Sequence, residues 1–335
     1  MPAWQRTLLQ AWKGRGPLAL ALWPISQIYR ALFAVRRWLY GCQLLRSHRL
    51  PVPVVVIGNV VVGGAGKTPV TIALVQHLQS RGMRVGVVSR GHGRRTADIM
   101  EVRSETPPAL GGDEPVLLAR RTGASVVVGR SRVDVARELL ERFPDTQVIV
   151  SDDGLQHLAL QRDLEVCVFD DQGLGNGWLL PAGPMREAWP RPVDLQLHTG
   201  EHPAFAGHRA HRRLAPEAVR ADGTRRLLSS FAGQTVSALA GIAHPERFFD
   251  MLRAAGLFLG EMVALPDHYD FDSDKRIFGE GFDLLCTEKD AVKLWARQPD
   301  AWAVPLELTL EPAWLARFDA LLDAKLSSRD GSQTS

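Results

Sequence analysis

Residues 58–69 read Gly58-Asn59-Val60-Val61-Val62-Gly63-Gly64-Ala65-Gly66-Lys67-Thr68-Pro69 and follow directly on the apolar run Val52-Pro53-Val54-Val55-Val56-Ile57. A buried-type strand, a glycine-rich turn closing on Lys-Thr, then a helix is the order of a triphosphate-binding P-loop. Glycines let successive backbone N–H groups converge on phosphate oxygens, and the helix starting near Thr68 directs its positive end to the same point. Val61, Val62, Gly63, Gly64, Ala65, Gly66, Lys67 and Thr68 are therefore the expected nucleotide-binding stretch. Lys67 is expected to reach the β- and γ-phosphates, and the Thr68 hydroxyl to ligate Mg²⁺. Pro69 suits the first helical turn, where its missing N–H costs nothing. One position departs from the strict pattern: Val61 stands where a leading glycine is expected, five residues before Gly66.

Outward from this loop, strands alternate with helices of about ten residues, which predicts right-handed βαβ units and a parallel α/β sheet. The predicted elements are a helix over Thr68–Ser80, a strand over Arg84–Ser89, a helix through about Arg121, a strand over Ala124–Val128 and a helix over Val133–Arg142. Strands over Thr146–Val150 and Leu164–Phe169 follow. Residues 172–230 lose the rhythm and are rich in Gly, Pro and Arg, so the inter-domain connection is placed there. From Thr235 the alternation resumes: a strand over Val236–Leu239, a helix over Pro245–Ala255, a strand over Leu257–Leu265, a helix near Ser273–Gly279 and a strand over Phe282–Cys286. A helix over Lys289–Ala296, a strand over Ala303–Leu308 and a helix over Pro312–Ala324 complete a second, smaller α/β unit. The expected organisation is a basic segment at 1–50, a P-loop domain with its connecting segment at 51–230, a smaller α/β domain at 231–326, and a disordered tail at 327–335.

The chain has 335 residues, 45% of them hydrophobic, enough for a sizeable core. Its three cysteines, Cys42, Cys167 and Cys286, are scattered and lack metal spacing, which suits a reducing compartment without a disulfide framework. Charge is unevenly placed. No acid precedes Asp98, and the first 97 residues carry a formal +14 against −11 for the remainder. The apolar residues interleaved in this basic end, among them Trp23, Ile28, Tyr29, Leu32, Phe33 and Trp38, are too many for a nucleic-acid arm. From Ile25 to Leu45 apolar positions recur near helical spacing with Arg30, Arg36 and Arg37 between, the pattern of an amphipathic helix in an anionic membrane interface. A helix packed on the protein's own core has the same periodicity. The uncharged stretch from Gly16 to Tyr29 is short of the ~20 residues that cross a bilayer, and Pro24 interrupts it.

Carboxylates at strand ends are where a parallel sheet presents chemistry. The strand ending at Val150 runs into Ser151-Asp152-Asp153-Gly154, the form of a Walker B element, with one Asp to hold Mg²⁺ and the other to meet a bound water or Lys67. Asp113, in Gly111-Gly112-Asp113-Glu114-Pro115, reads equally as a helix cap and as a catalytic carboxylate. His268, between carboxylates in Pro266-Asp267-His268-Tyr269-Asp270, is a candidate for tuning a base. Arg90, Arg130 and Arg132 each follow a strand and form a candidate grip on an anionic substrate. The histidines at 198, 202, 208 and 211 match no standard zinc spacing.

With these pieces together, the chain resembles the tetraacyldisaccharide 4'-kinase family. The resemblance is carried by Gly58 to Pro69, Ser89-Arg-Gly-His-Gly-Arg94, Gly112-Asp-Glu-Pro115, Asp152-Asp-Gly-Leu-Gln-His157 and Pro181-Ala-Gly-Pro-Met-Arg-Glu187. It continues through Ala240 to Phe249, Pro266-Asp-His-Tyr269 and Thr287-Glu-Lys-Asp290. It implies Mg²⁺- and ATP-dependent phosphorylation of the 4'-hydroxyl of a tetraacylated glucosamine disaccharide 1-phosphate, the lipid A precursor of Gram-negative lipopolysaccharide. The implied location is the cytoplasmic face of the inner membrane, as a peripheral protein on its anionic surface, with no obligate protein partner. It further implies Asp113 as the general base tuned by His268, Lys67, Thr68, Asp152 and Asp153 as the phosphate and Mg²⁺ set, and Glu187 as a further acid near the metal. The family's loop also lacks the leading glycine at the position of Val61. His92 and His244 stand where the family usually has Tyr and Asn. A partition-type ATPase, the alternative in another class, needs a lysine at position 62, which is Val62. A guanine-binding motif fails at Glu288 of Thr287-Glu-Lys-Asp290.

Overall fold

The structure, a computed structural model, describes residues 3–203, 205–267, 269–271 and 278–333. Helices α1 (Ala3–Ala11) and α2 (Pro17–Gly41) lead into β1 (Val54–Gly58), α3 (Lys67–Ser80), β2 (Val85–Ser89), β3 (Met100–Val102), α4 (Pro108–Gly111) and α5 (Asp113–Thr122). Next come β4 (Ser125–Val128), α6 (Arg132–Arg142), β5 (Val148–Asp152), β6 (Leu164–Phe169), β7 (Leu195–His198) and β8 (His208–Leu214). The chain continues with β9 (Glu217–Val219), β10 (Arg225–Leu227), β11 (Thr235–Ala240), α7 (Pro245–Ala254), β12 (Phe258–Ala264), β13 (Leu284–Thr287) and α8 (Glu288–Leu294). It ends in β14 (Trp302–Val304), β15 (Leu306–Leu310) and α9 (Pro312–Gln333).

Among the described residues the strands form two sheets, ordered β15-β8-β7-β6-β1-β5-β2-β4-β3 and β10-β9-β14-β13-β11-β12. In the first, β8 through β4 run parallel and only the edge strands β15 and β3 are antiparallel. Both faces are covered, so its strands are continuous Val/Ile runs rather than alternating ones. Val55, Ile57, Val87 and Val150 pack under α3, α5 and α9, while Val54, Val56, Val88 and Ile149 face α6. Each such buried side chain contributes about 1.5–3 kcal/mol relative to exposure. β1 lies between β5 and β6, where the strand order reverses, and the crevice at the strands' carboxyl ends opens at its P-loop.

The pairings give more of the chain to the first sheet than expected, including β15 from the segment expected as the smaller domain. Residues 195–214, expected in an irregular connection, supply β7 and β8 to the first sheet. β8 hides its strand character because only Ala210 is buried in it; its arginines and histidines meet partners on β15 and beyond, Arg213 with Glu307 and His208 with Glu311. The stretch expected as one strand over Ala303–Leu308 is two. Pro305 separates β14, in the second sheet, from β15, in the first. The chain thus leaves the first sheet after β8 and returns alongside itself, with Ala215 N donating to Pro305 O at 2.8 Å. The second sheet is an insertion, and the C-terminal helix packs back on α3 through Asp319 with His77 and Arg81. The tail expected to be disordered from 327 is helical through Gln333. Arg329 fixes it, donating to Leu50 O at 2.7 Å and to Asp163 at 2.8 Å. The helix expected near Ser273–Gly279 falls largely outside the described residues.

At the other end, α2 begins earlier than the predicted Ile25 and carries Pro24 inside it. By length and composition it is apolar enough to cross a membrane. One side is docked. Ser26 Oγ donates to Leu179 O at 2.8 Å and accepts from Ala182 N at 2.9 Å, and Tyr29 donates to Arg186 O at 2.7 Å. The opposite side leaves Leu20, Ile28, Leu32, Val35 and Trp38 exposed, Leu32 at 66%.

Candidate active site

A cavity of about 790 Å³ lies at the carboxyl ends of the first sheet's central strands, walled by the P-loop, by residues of the second sheet, and by Tyr29 and Arg36 of α2. Gly63 through Thr68 line it. Gly66, the residue before α3, has φ +79, and a Cβ there would stand 2.5 Å from Arg212 Nη2. Glycine is required on both counts. Lys67 Nζ donates to Asn59 Oδ1 at 3.2 Å and stands 3.6 Å from Asp153 Oδ1. The first two residues of the expected stretch behave differently. Val61 is buried in the core beside Met185, and Val62, on the cavity wall, commits its N–H to Pro184 O at 2.8 Å. A packed side chain at 61 explains why no glycine is needed there.

β5 delivers Asp152 and Asp153 to the cavity. Asp152 is buried and its Oδ1 accepts from Thr71 Oγ1 at 2.8 Å, one turn beyond Thr68. Burial, followed by the Glu114 and Asp153 carboxylates, pushes its pKa up to about 7. Asp153 occupies the left-handed region at φ +50, which turns its side chain away from that of Asp152. Burial pushes its pKa up, but Lys67 and Arg186 together outweigh it and hold the carboxyl below its ordinary value. Arg186, which sequence reasoning passed over inside a quoted motif, donates to both Asp153 oxygens at 3.2 and 3.3 Å.

Two expected members stand elsewhere. Glu187 is buried and turned into the protein, accepting from Gln156 Nε2 at 2.7 Å and pairing with Arg191 at 2.9 Å. Its partner Gln156 lines the cavity. Of the three candidate arginines, Arg90 and Arg132 line the cavity, whereas Arg130 is exposed and off its wall. Arg132, at the start of α6, donates to Gly129 O and Asp152 O, and burial lowers its pKa to about 10 against the pull of Asp152 and Asp153. Beside it His157 is held neutral at pH 7, its pKa lowered to about 4 by burial and then by Arg132.

Asp113 opens α5 and is buried, directly behind the wall formed by Glu114. Gly112, not Asp113, is the cap residue; Asp113 Oδ1 accepts from Glu114 N at 3.1 Å. Its other oxygen faces the second sheet, 3.4 Å from Lys293 Nζ and 4.0 Å from Lys289 Nζ. Lys289 also pairs with Glu114 at 3.1 Å and Asp267 at 3.0 Å. Burial lowers the Lys289 pKa, but Glu114, Asp267 and Asp113 outweigh it and raise the group above its ordinary value. The Thr287-Glu-Lys-Asp290 motif and the helix it opens, capped by Thr287, thus bring two lysines of the second sheet's unit to the carboxylates of Asp113, Glu114 and Asp267. His268 lies outside the described residues. His244 and His92 line the cavity, and His244 sits 3.6 Å from Asp170. Among the four linker histidines, His198 is buried against Phe169 and His208 pairs with Glu311.

The family model described as tetraacyldisaccharide-1-P 4'-kinase matches residues 18–326. A tetraacyldisaccharide 4'-kinase of Acidovorax sp. (strain JS42) is 58% identical over 320 residues, covering 95% of this chain and 94% of the relative. That of Polaromonas naphthalenivorans (strain CJ2) is 54% identical over 342 residues, covering 98% and 99%. The crystal structure of LpxK from Aquifex aeolicus in complex with ATP superposes with a TM-score of 0.78 at 28% identity, covering 92% of this chain and 99% of that one. The match runs over nearly the whole chain, and this chain is a member of the tetraacyldisaccharide 4'-kinase family.

Proposed function

We propose that this chain transfers the γ-phosphate of ATP to the 4'-hydroxyl of a tetraacylated disaccharide 1-phosphate at the cytoplasmic face of the inner membrane. The observation that carries it is the single cavity joining the P-loop to Asp152, Asp153 and Glu114 and reaching Tyr29 and Arg36 on a helix whose outer face is bare and apolar. A tetraacyl lipid stays in the bilayer, so its head must be received beside a membrane-facing element. α2 is docked to the Leu179–Glu187 segment by Ser26 and Tyr29, so it lies along the catalytic body and presents its other side to lipid. Arg30, Arg36 and Arg37 suit an anionic surface.

Phosphoryl transfer is chiefly positioning and charge neutralisation. Gly63–Gly66 and Lys67 hold the phosphate chain, Arg186 fixes Asp153, and Arg90 and Arg132 grip the anionic acceptor. Asp113, directly behind Glu114 on the cavity wall, takes the proton of the 4'-hydroxyl through one bridging water as the hydroxyl oxygen bonds to the γ-phosphorus and the bond from the γ-phosphorus to the β,γ-bridging oxygen breaks, leaving ADP. The donor set suits Mg²⁺: Asp152 is a buried carboxylate with no ion-pair partner among the described residues, and Thr68 stands on the same wall. Such a site takes one or two protein ligands, the rest being phosphate oxygens and water. When bound, the cation would neutralise charge developing on the phosphates. The switch-ATPase reading has no lysine at Val62, whose N–H is already spent on Pro184.

The test is transfer of the terminal phosphate from Mg·ATP to detergent-dispersed disaccharide 1-phosphate, with Asp113→Ala lowering the rate by about 10²-fold or more. ATP turnover indifferent to the lipid would sink the reading.

A further inference from the structure

Arg212 is a half-buried cation on the cavity wall that none of the motifs includes. It sits on β8, in register with Leu308 of β15, on the two-stranded ribbon from which the second sheet departs. Its Nη2 donates to Thr199 Oγ1 at 2.6 Å, and that hydroxyl donates in turn to Ala65 O of the P-loop at 2.9 Å. The guanidinium lies against Gly66, so closely that the absent Cβ would collide with it. Thr199 is its one hydrogen-bond partner among the described residues, and its Nε is buried without any. The nearby carboxylates are already engaged: Arg247 holds Asp171 at 2.9 Å and stands 3.6 Å from Asp170. Burial, and then the Arg247 charge, lower the Arg212 pKa to about 10.

A guanidinium whose Nε is buried without a partner, and which no carboxylate pairs, is costly unless an anion from outside completes it. Here the anion has an address, because the same wall carries Lys67 and the P-loop amides. A planar fork of N–H donors matches phosphate oxygens in a way that an ammonium does not. We propose that Arg212 is a phosphate-binding residue for the donor nucleotide, completing the P-loop from the ribbon that carries the second sheet. Nucleotide phosphates are then held at the root of the segment bearing Lys289 and Lys293. This rests on the P-loop being the ATP site.

The test is calorimetric binding of Mg·ATP, Mg·ADP and adenosine to the full-length wild type, Arg212→Met and Arg212→Lys. Arg212→Met is expected to weaken ATP by about 10-fold or more with adenosine unchanged, and Arg212→Lys to recover part of the loss. The Km for ATP should rise in parallel, with kcat less affected. Equal weakening of adenosine and ATP would mark a structural role and overturn the proposal, as would wild-type ATP affinity in Arg212→Met. Should Arg212→Met fail to fold, Arg212→Lys decides: a several-fold loss confined to the phosphorylated ligands supports the fork, and none overturns it. A wild type that does not bind ATP would instead remove the P-loop reading itself.

Discussion

Helices α2 and α3 are both rich in Leu, Ile and Val, yet the protein uses them in opposite ways. In 14 residues α3 buries Val70, Thr71, Ile72, Leu74, Val75 and Leu78, closed in by the sheet and α9. Over 25 residues α2 buries only Ala19 and Ser26. Apolar composition in α3 supplies a core; in α2 it supplies a surface with no protein against it. An exposed apolar stripe of this extent, rimmed by arginines, is the surface that the proposed contact with an anionic membrane would use. The one charged group near the start of α3, Lys67, lines the cavity beside Asp153, whereas of the α2 arginines Arg36 reaches the cavity and Arg30 and Arg37 stand beside the exposed apolar residues.

The difference is open to direct attack. Replacing Leu20, Ile28, Leu32 and Trp38 together by Gln should lower partition onto anionic vesicles by about 10³-fold or more, since each such side chain contributes about 1.5–3 kcal/mol on burial. Thermal unfolding in detergent should barely move; unchanged vesicle binding would return α2 to an ordinary helix. Leu74→Ala in α3 should cost about 2–5 kcal/mol of stability by chemical denaturation. The equivalent Leu32→Ala should stay within about 0.5 kcal/mol, and equal costs would erase the distinction. Between the two stands Ser26→Ala, which strands Ala182 N–H and Leu179 C=O and should cost about 1–2 kcal/mol. Its readout is faster amide exchange across residues 179–187, and unaltered exchange would show that Ser26 does not hold the two segments together.

The cavity-lining glycine loop and paired aspartates were legible because each is local in sequence. Gly63 to Thr68 and Asp152-Asp153 each sit at one strand end, where spacing alone reports geometry. Partnerships formed between elements were not legible. Glu187 looks from its motif like a metal-side acid, and only the fold shows Arg191 and Gln156 taking both oxygens. Arg130 and Arg132 differ by two residues in one loop, yet one starts a helix and is buried while the other meets solvent. Arg212 carries no signal at all within His-Arg-Arg, since what distinguishes it is the absent Cβ of Gly66 across the cavity. The first sheet's strands were found where burial on both faces made continuous Val runs. β8 escaped because an arginine-rich strand near an edge has no such run, and β14–β15 were fused because Pro305 was read as part of one strand.

That proline break has a consequence for how the molecule is made. The edge strand β15 and helix α9, which seal the P-loop sheet, are specified after all of the second sheet. During synthesis the nucleotide half therefore waits, unsealed beside β8 and along α3, until the inserted unit has been completed and the chain has come back. Long-range closures of this kind are slow. No prefix of the polypeptide ending before Leu306 contains the edge strand that pairs with β8, so a ribosome releasing early yields a chain whose first sheet is left open at that edge.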